Sequence, residues 1–127
     1  MPKPSKTHEQ LDFEIAFYEQ LLHEHPDFTD ALMALGEANT RRGWHEKGLA
    51  IDQQLTHLRT GDAVVWYNLA CSYSLLGRID EALGSLRRAI GLGYDDFEHL
   101  GKDPDLLALR QSHQFRRFLE TFSSASP

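Results

Sequence analysis

Apolar residues recur along this chain at spacings of three and four, in blocks closed by glycine or proline. Val65, Trp66, Leu69, Tyr73 and Leu76 form one such stripe, and Gly77 follows it. Glycine ends a helix cheaply because it takes left-handed backbone without a Cβ penalty. Ile79, Ala82, Leu83, Leu86, Ala89 and Ile90 form the next stripe, closed by Gly91-Leu92-Gly93. An earlier pair follows the same scheme, with Leu32, Leu35, Gly36 and Ala38 ahead of Gly43, then Leu49, Ile51, Leu55 and Leu58. Ahead of both, Thr7-His8-Glu9-Gln10 has capping-box spacing. Phe13, Phe17, Leu21 and Leu22 then make an amphipathic helix that ends near His25-Pro26. Behind them, Asp103-Pro104 combines a capping side chain with proline at the first helical position. It predicts a short helix through Leu106, Leu107 and Leu109, with a last one around Phe115, Phe118, Leu119 and Phe122. The pattern therefore predicts an all-α chain: a helix over 7–25, helix pairs over 29–62 and 63–96, and a helical cap over 97–122. Residues 1–6 and 123–127 are expected to be disordered ends.

The two pairs are copies of one unit. Shifting the chain by 34 residues places Leu35 on Leu69, Gly36 on Ala70, Gly43 on Gly77 and Leu49 on Leu83. Leu32, Met33, Asn39 and Leu58 fall on Trp66, Tyr67, Tyr73 and Leu92. A helix pair cannot bury both of its apolar faces by itself, so such units stack and share a core. Small residues at Gly36, Gly48, Ala70 and Ala82 allow the helix backbones to approach closely.

These residues resemble the tetratricopeptide repeat family over about residues 8 to 122. The family places a bulky residue, a leucine, a small residue and an aromatic on its first helix; here they are Trp66, Leu69, Ala70 and Tyr73. Gly77, Ala82 and Ala89 match its turn and second helix, and Tyr94 replaces its final proline. The first unit keeps Leu32, Leu35, Gly36 and Gly43 but carries Asn39 for the aromatic, Gly48 and Leu55 for the alanines and Thr60 for the proline. Tyr18, Leu21 and Pro26 stand where the second half of a further repeat would place them, and the stretch from Leu92 to Arg110 is similar to the endings of bacterial arrays.

The resemblance implies a right-handed α-solenoid of antiparallel helix pairs with a concave groove lined by the first helix of each pair. On this chain the groove walls become Met33, Glu37 and Arg41, and Tyr67, Asn68 and Cys71. Residues four apart share a helix face, which suits both Met33-Glu37-Arg41 and Tyr67-Cys71-Leu75. In that reading Tyr67 and Met33 grip an apolar side chain, Asn68 bonds a peptide backbone, and Glu37 and Arg41 supply both charge signs.

Composition narrows the function. With 127 residues, 41% hydrophobic and 25% charged, the chain reads as one globular domain. A net charge of -6 argues against binding to phosphate backbones, so no nucleic acid is expected. No apolar run approaches the ~20 residues of a membrane span, and Met-Pro-Lys-Pro-Ser-Lys is not followed by a signal-like apolar stretch. Cys71 is the sole cysteine, which rules out an intrachain disulfide and suits a reducing, cytoplasmic setting, a bacterial or organellar cytosol.

No catalytic, metal or cofactor signature emerges. His23 and His25 point about 200° apart on a helix and cannot share an ion. Cys71 reads as a small, partly buried filler, since no positive charge lies at close helical spacing. The expected function is a protein-interaction module, an adaptor or assembly factor holding a peptide or partner helix in the groove. The alternative is a small chaperone shielding a client; an enzyme or nucleic-acid binder ranks last. Phe97, Phe122 and Trp44 are expected to help close the stack ends, and an incomplete closure there would support a homodimer.

Overall fold

The structure of the protein, a computed structural model, describes residues 5–124, the last three of them by their backbone. Eight α-helices follow one another among these residues, with no strand. They are α1 (His8–Glu24), α2 (Thr29–Arg42), α3 (His45–Leu58), α4 (Ala63–Leu75), α5 (Ile79–Gly91), α6 (Phe97–Lys102), α7 (Leu107–Arg110) and α8 (His113–Ser124), with a 3-10 turn at Pro104–Leu106 before α7. None is long and apolar enough to cross a membrane among the described residues. Of the ends expected to be disordered, residues 1–4 and 125–127 lie outside the description. Lys6 precedes α1 and pairs with Glu14 at 2.7 Å, while α8 runs through Ser124.

The 34-residue offset is present in the helices themselves. Thr29 and Ala63 open α2 and α4, and His45 and Ile79 open α3 and α5, each pair 34 positions apart. Gly43 and Gly77 occupy the turns between partners, with φ of 93° and 74°. Both lie in the left-handed region, where a side chain would be strained.

Local chemistry sets the helix starts. Thr7 and Gln10 form the expected capping box, with Gln10 N–H donating to Thr7 Oγ1 at 3.1 Å and Thr7 N–H to Gln10 Oε1 at 2.8 Å. Asp62 caps α4 by accepting from Val64 N–H at 3.0 Å. Asp96 does the same for α6 through His99 N–H at 3.0 Å. Ser112 Oγ accepts Phe115 N–H at 3.1 Å at the head of α8.

From α1 to α5, each helix packs on the next. The chain then folds back, laying the 3-10 turn and α7 against α4 and α8 against α5. The largest core forms where this return meets the second pair, around Ala82, Leu86, Ala89, Leu106 and Leu109, all fully buried. Leu11, Ile15, Leu35 and Ala38 join α1 to α2, and Leu32, Leu55 and Val65 join α2, α3 and α4. Trp44 is half-buried against the α1–α2 core, with the Arg42 guanidinium 4.7 Å from its ring centroid. Phe97 is 47% exposed; the side chain of Phe122, assigned to the same closure, lies outside the described residues.

The crossing of α2 and α3 explains why a glycine stands at position 48. A Cβ built on Gly48 would stand 2.6 Å from Thr40 Oγ1 and 3.5 Å from the Gly36 carbonyl oxygen. Thr40 already fills the space an alanine would need. Gly48→Ala is therefore expected to destabilise by ~1 kcal/mol, because overpacking outweighs the gain in helix propensity. Adding Thr40→Ala should recover the loss. A Gly48→Ala protein that melts higher than the parent would show that Thr40 moves aside freely.

Candidate functional site

A cleft of about 280 Å³ opens between α2 and α4. Met33, Glu37 and Arg41 come from α2, Tyr67, Asn68 and Cys71 from α4, and all six line this one cavity. Asp52 reaches in from α3 with its hydrogen-bond partner Ser72. His99, Asp103, Pro104 and Asp105 close one end.

That closure changes the parts played by two of the six. Tyr67 is 5% exposed and stacks on Tyr94, with ring centroids 4.3 Å apart and planes inclined by 11°. Its hydroxyl donates to Asp103 Oδ2 at 2.7 Å. It is already satisfied and does not offer the open grip expected of it. Cys71 is buried under the same carboxylate, with Sγ 3.7 Å from Asp103 Oδ2. Burial, and then the negative charge of Asp103 and Asp105, push its thiol far above the ordinary range. Burial and the bond to Asp103 do the same to the Tyr67 phenol. Both shifts favour the protonated form, which with its burial makes Cys71 a poor nucleophile.

The other four remain accessible. Met33 and Asn68 are half-buried, and the Asn68 amide has no hydrogen-bond partner among the described residues. Glu37 is exposed and pairs with Arg41 at 3.1 Å. Arg41 also bridges to Asp105 on the 3-10 turn, 64 positions away. Partial desolvation raises the Glu37 carboxyl, Arg41 opposes this, and Asp105 and Asp103 push it further up.

Three features lay outside the sequence reading. Asp103 serves at once as helix cap, through Asp105 N–H at 3.0 Å, and as the acceptor for Tyr67. His99 Nε2 also lies 3.2 Å from its Oδ2. Nothing in Asp103-Pro104 distinguishes such a carboxylate from an ordinary cap. The third feature, Asp52, does have a signal: the 34-residue offset sets it opposite Leu86. Leu86 is fully buried, and Asp52 is 7% exposed. A carboxylate occupies a core position.

Cys71, Asp103 and Asp105 also approach one another closely enough to suggest metal ligands, their donor atoms lying within 4.8 Å. The chemistry is unfavourable. Asp105 is held by Arg41 and Asp103 by Tyr67, so two of the three groups are already engaged. A separate apolar groove of about 380 Å³ lies between α5, α6 and α8, lined by Ile90, Leu100, Phe115 and Leu119 among others.

Comparison with known proteins gives a partial likeness. The chain is 40% identical over 63 residues to a chloroplastic protein of Arabidopsis thaliana. The shared stretch is 50% of this chain and 19% of that protein. No family model matches the chain, and no solved structure does.

Proposed function

We propose that the protein is a tetratricopeptide-type interaction module: a right-handed solenoid of helix pairs that holds a peptide or partner helix in the cleft between α2 and α4. The observation that carries this reading is the recurrence of two helix pairs and their turn glycines at 34 residues. Packing of each helix on the next from α1 to α5 supports the stacked arrangement.

The binding surface in this reading is smaller than the full groove. The chain's own 3-10 turn covers Tyr67 and Cys71 at one end. The open part is the wall of Met33, Glu37, Arg41 and Asn68. It continues past Glu37 and Arg41 into a second cavity of about 570 Å³ between α1 and α2, lined by Leu11, Tyr18 and Ala34 together with the paired Lys6 and Glu14. A partner laid across α4, α2 and α1 would meet the free Asn68 amide, the flexible Met33 and then this trough of mixed apolar and charged lining. Asn68 suits the backbone of an extended peptide, because its amide donates and accepts together. A cytoplasmic setting stays part of the same reading, with a plastid the alternative that the similar segment of the Arabidopsis protein brings.

Peptides selected from a displayed random library test the reading. Asn68→Ala and Met33→Arg, each checked to melt like the parent, are expected to weaken the selected peptides about tenfold, the loss of one or two peptide hydrogen bonds or of an apolar contact. A library that yields no binder, or binders indifferent to both substitutions, would remove the cleft as the binding site.

A further inference from the structure

The cleft holds more negative charge than the fold can use. Four carboxylates line it, those of Glu37, Asp52, Asp103 and Asp105; one guanidinium, Arg41, faces them, and the His99 imidazole stands against Asp103. Arg41 is committed at both ends, to Glu37 at 3.1 Å and to Asp105. Asp103 accepts the Tyr67 hydroxyl and the Asp105 N–H, and His99 Nε2 lies 3.2 Å from it.

Asp52 is the member without compensation. Its Oδ2 accepts one hydroxyl, that of Ser72. Its Oδ1 has no donor among the described residues and lies against Gly36, where a Cβ would stand 3.2 Å away. No cation pairs with it among the described residues, although it is 7% exposed. A helix-to-helix tie through Ser72 does not require a carboxylate, since asparagine would accept the same bond. The sibling unit fills this register with Leu86 and is fully packed there, so the stack does not require a polar residue either. A buried carboxylate with a bare oxygen facing a cavity is costly in isolation and favourable beside a cation.

We propose that the cleft recognises a basic side chain, lysine or arginine, carried by a partner polypeptide, with the cationic head entering between Glu37 and Asp52. This rests on the peptide-binding reading above and names the chemistry of the peptide. The cavity of about 280 Å³ accommodates one long side chain. Met33 flanks its aliphatic stem, and Asn68 stands beside it to hold the backbone. Glu37 at the mouth and Asp52 at depth give a charge gradient running inward. Gly36 belongs to the same arrangement, because any side chain there would press on Asp52 Oδ1 and on Ile51 Cγ2, 3.3 Å from the added Cβ.

The test uses the full chain and a bead library of capped nonapeptides with randomised flanks, in which the central position is lysine, arginine, glutamine or glutamate. Lysine or arginine peptides are expected to be enriched, and their affinity to fall with rising salt. Glu37→Gln, on an exposed side chain and checked to melt like the parent, is expected to weaken the enriched peptides about tenfold, and Asp52→Asn at least as much. Glu98→Gln, on α6 and paired with Lys102, is expected to change nothing. Enrichment of glutamine or glutamate peptides whose binding depends on Asn68 would overturn the basic-side-chain inference and leave the peptide groove standing. Absence of binders of every charge would overturn both. Titration with zinc chloride alone closes the remaining route: zinc binding that depends on Asp52, with no enrichment of basic peptides, would make the cleft a metal site and overturn the inference.

Discussion

Asp103→Ala is expected to lower the stability of the protein by about 3 kcal/mol, because its side chain does two structural jobs at once. Asp103 is 8% exposed. Oδ1 caps the 3-10 turn through Asp105 N–H, and loss of such a cap costs roughly 1 kcal/mol. Oδ2 accepts the buried Tyr67 hydroxyl, and a buried donor left without an acceptor costs about 1–3 kcal/mol. The combined loss corresponds to a drop of roughly 10 °C in melting temperature for a chain of this size. Combining Asp103→Ala with Tyr67→Phe should recover the second part, since the orphaned hydroxyl is then gone. If the double variant is as unstable as the sum of its single changes, the Tyr67 bond is not what fastens the return of the chain to α4.

Asp52→Asn is expected to act in the opposite direction and with a clear pH dependence. Burial raises the Asp52 carboxyl from 3.8 to about 6; Ser72 opposes the rise and Glu37 adds to it. Because the folded value lies above the unfolded one, the native protein holds a proton between about pH 4 and 6 that the unfolded chain has released. The stability tied to that proton is fully present below about pH 4 and is lost as the pH rises through about 6. The gap is worth on the order of 3 kcal/mol. Asparagine keeps an acceptor for Ser72 and carries no charge, so it escapes most of this loss. At about pH 8 the variant should exceed the parent by on the order of 2 kcal/mol, whereas at about pH 4 the two should coincide within ~0.5 kcal/mol. Urea titrations at the two pH values decide it; a difference that is the same at both would mean that Asp52 ionises freely in the folded protein. A substitution that strengthens the fold while weakening basic peptides is the pattern expected of a residue kept for binding.

Most of the helical framework was legible in the sequence, for identifiable reasons. Apolar spacing marks the stripe of each helix, and Gly43 and Gly77 stand where the backbone must turn left-handed. The Thr7–Gln10 box is a local interaction, so its residues suffice to reveal it. The six cleft residues were expected from the family resemblance, and the spacing of four within each set agrees with their lining one cavity. Its state of occupation was not. Periodicity tells which side of α4 carries Tyr67 and Cys71 but not what covers that side, and the covering residue, Asp103, is 36 and 32 positions further along the chain. Tyr67 was thus expected to be open and is buried. Asp52 was overlooked for a different reason. Comparing the two units by what they share brings out leucines and glycines, whereas Asp52 is informative because it differs from Leu86.

Cys71 gives the protein a built-in reporter. It is the sole thiol of the chain, and the Asp103–Asp105 turn covers its sulfur. An alkylating reagent therefore reaches it when that turn lifts from α4, so the labelling rate measures how often the cover rises. Without any added probe, the same rate would register occupancy: a molecule seated in the cleft against the turn should hold it down and slow the reaction, while Asp103→Ala should leave the sulfur open to attack.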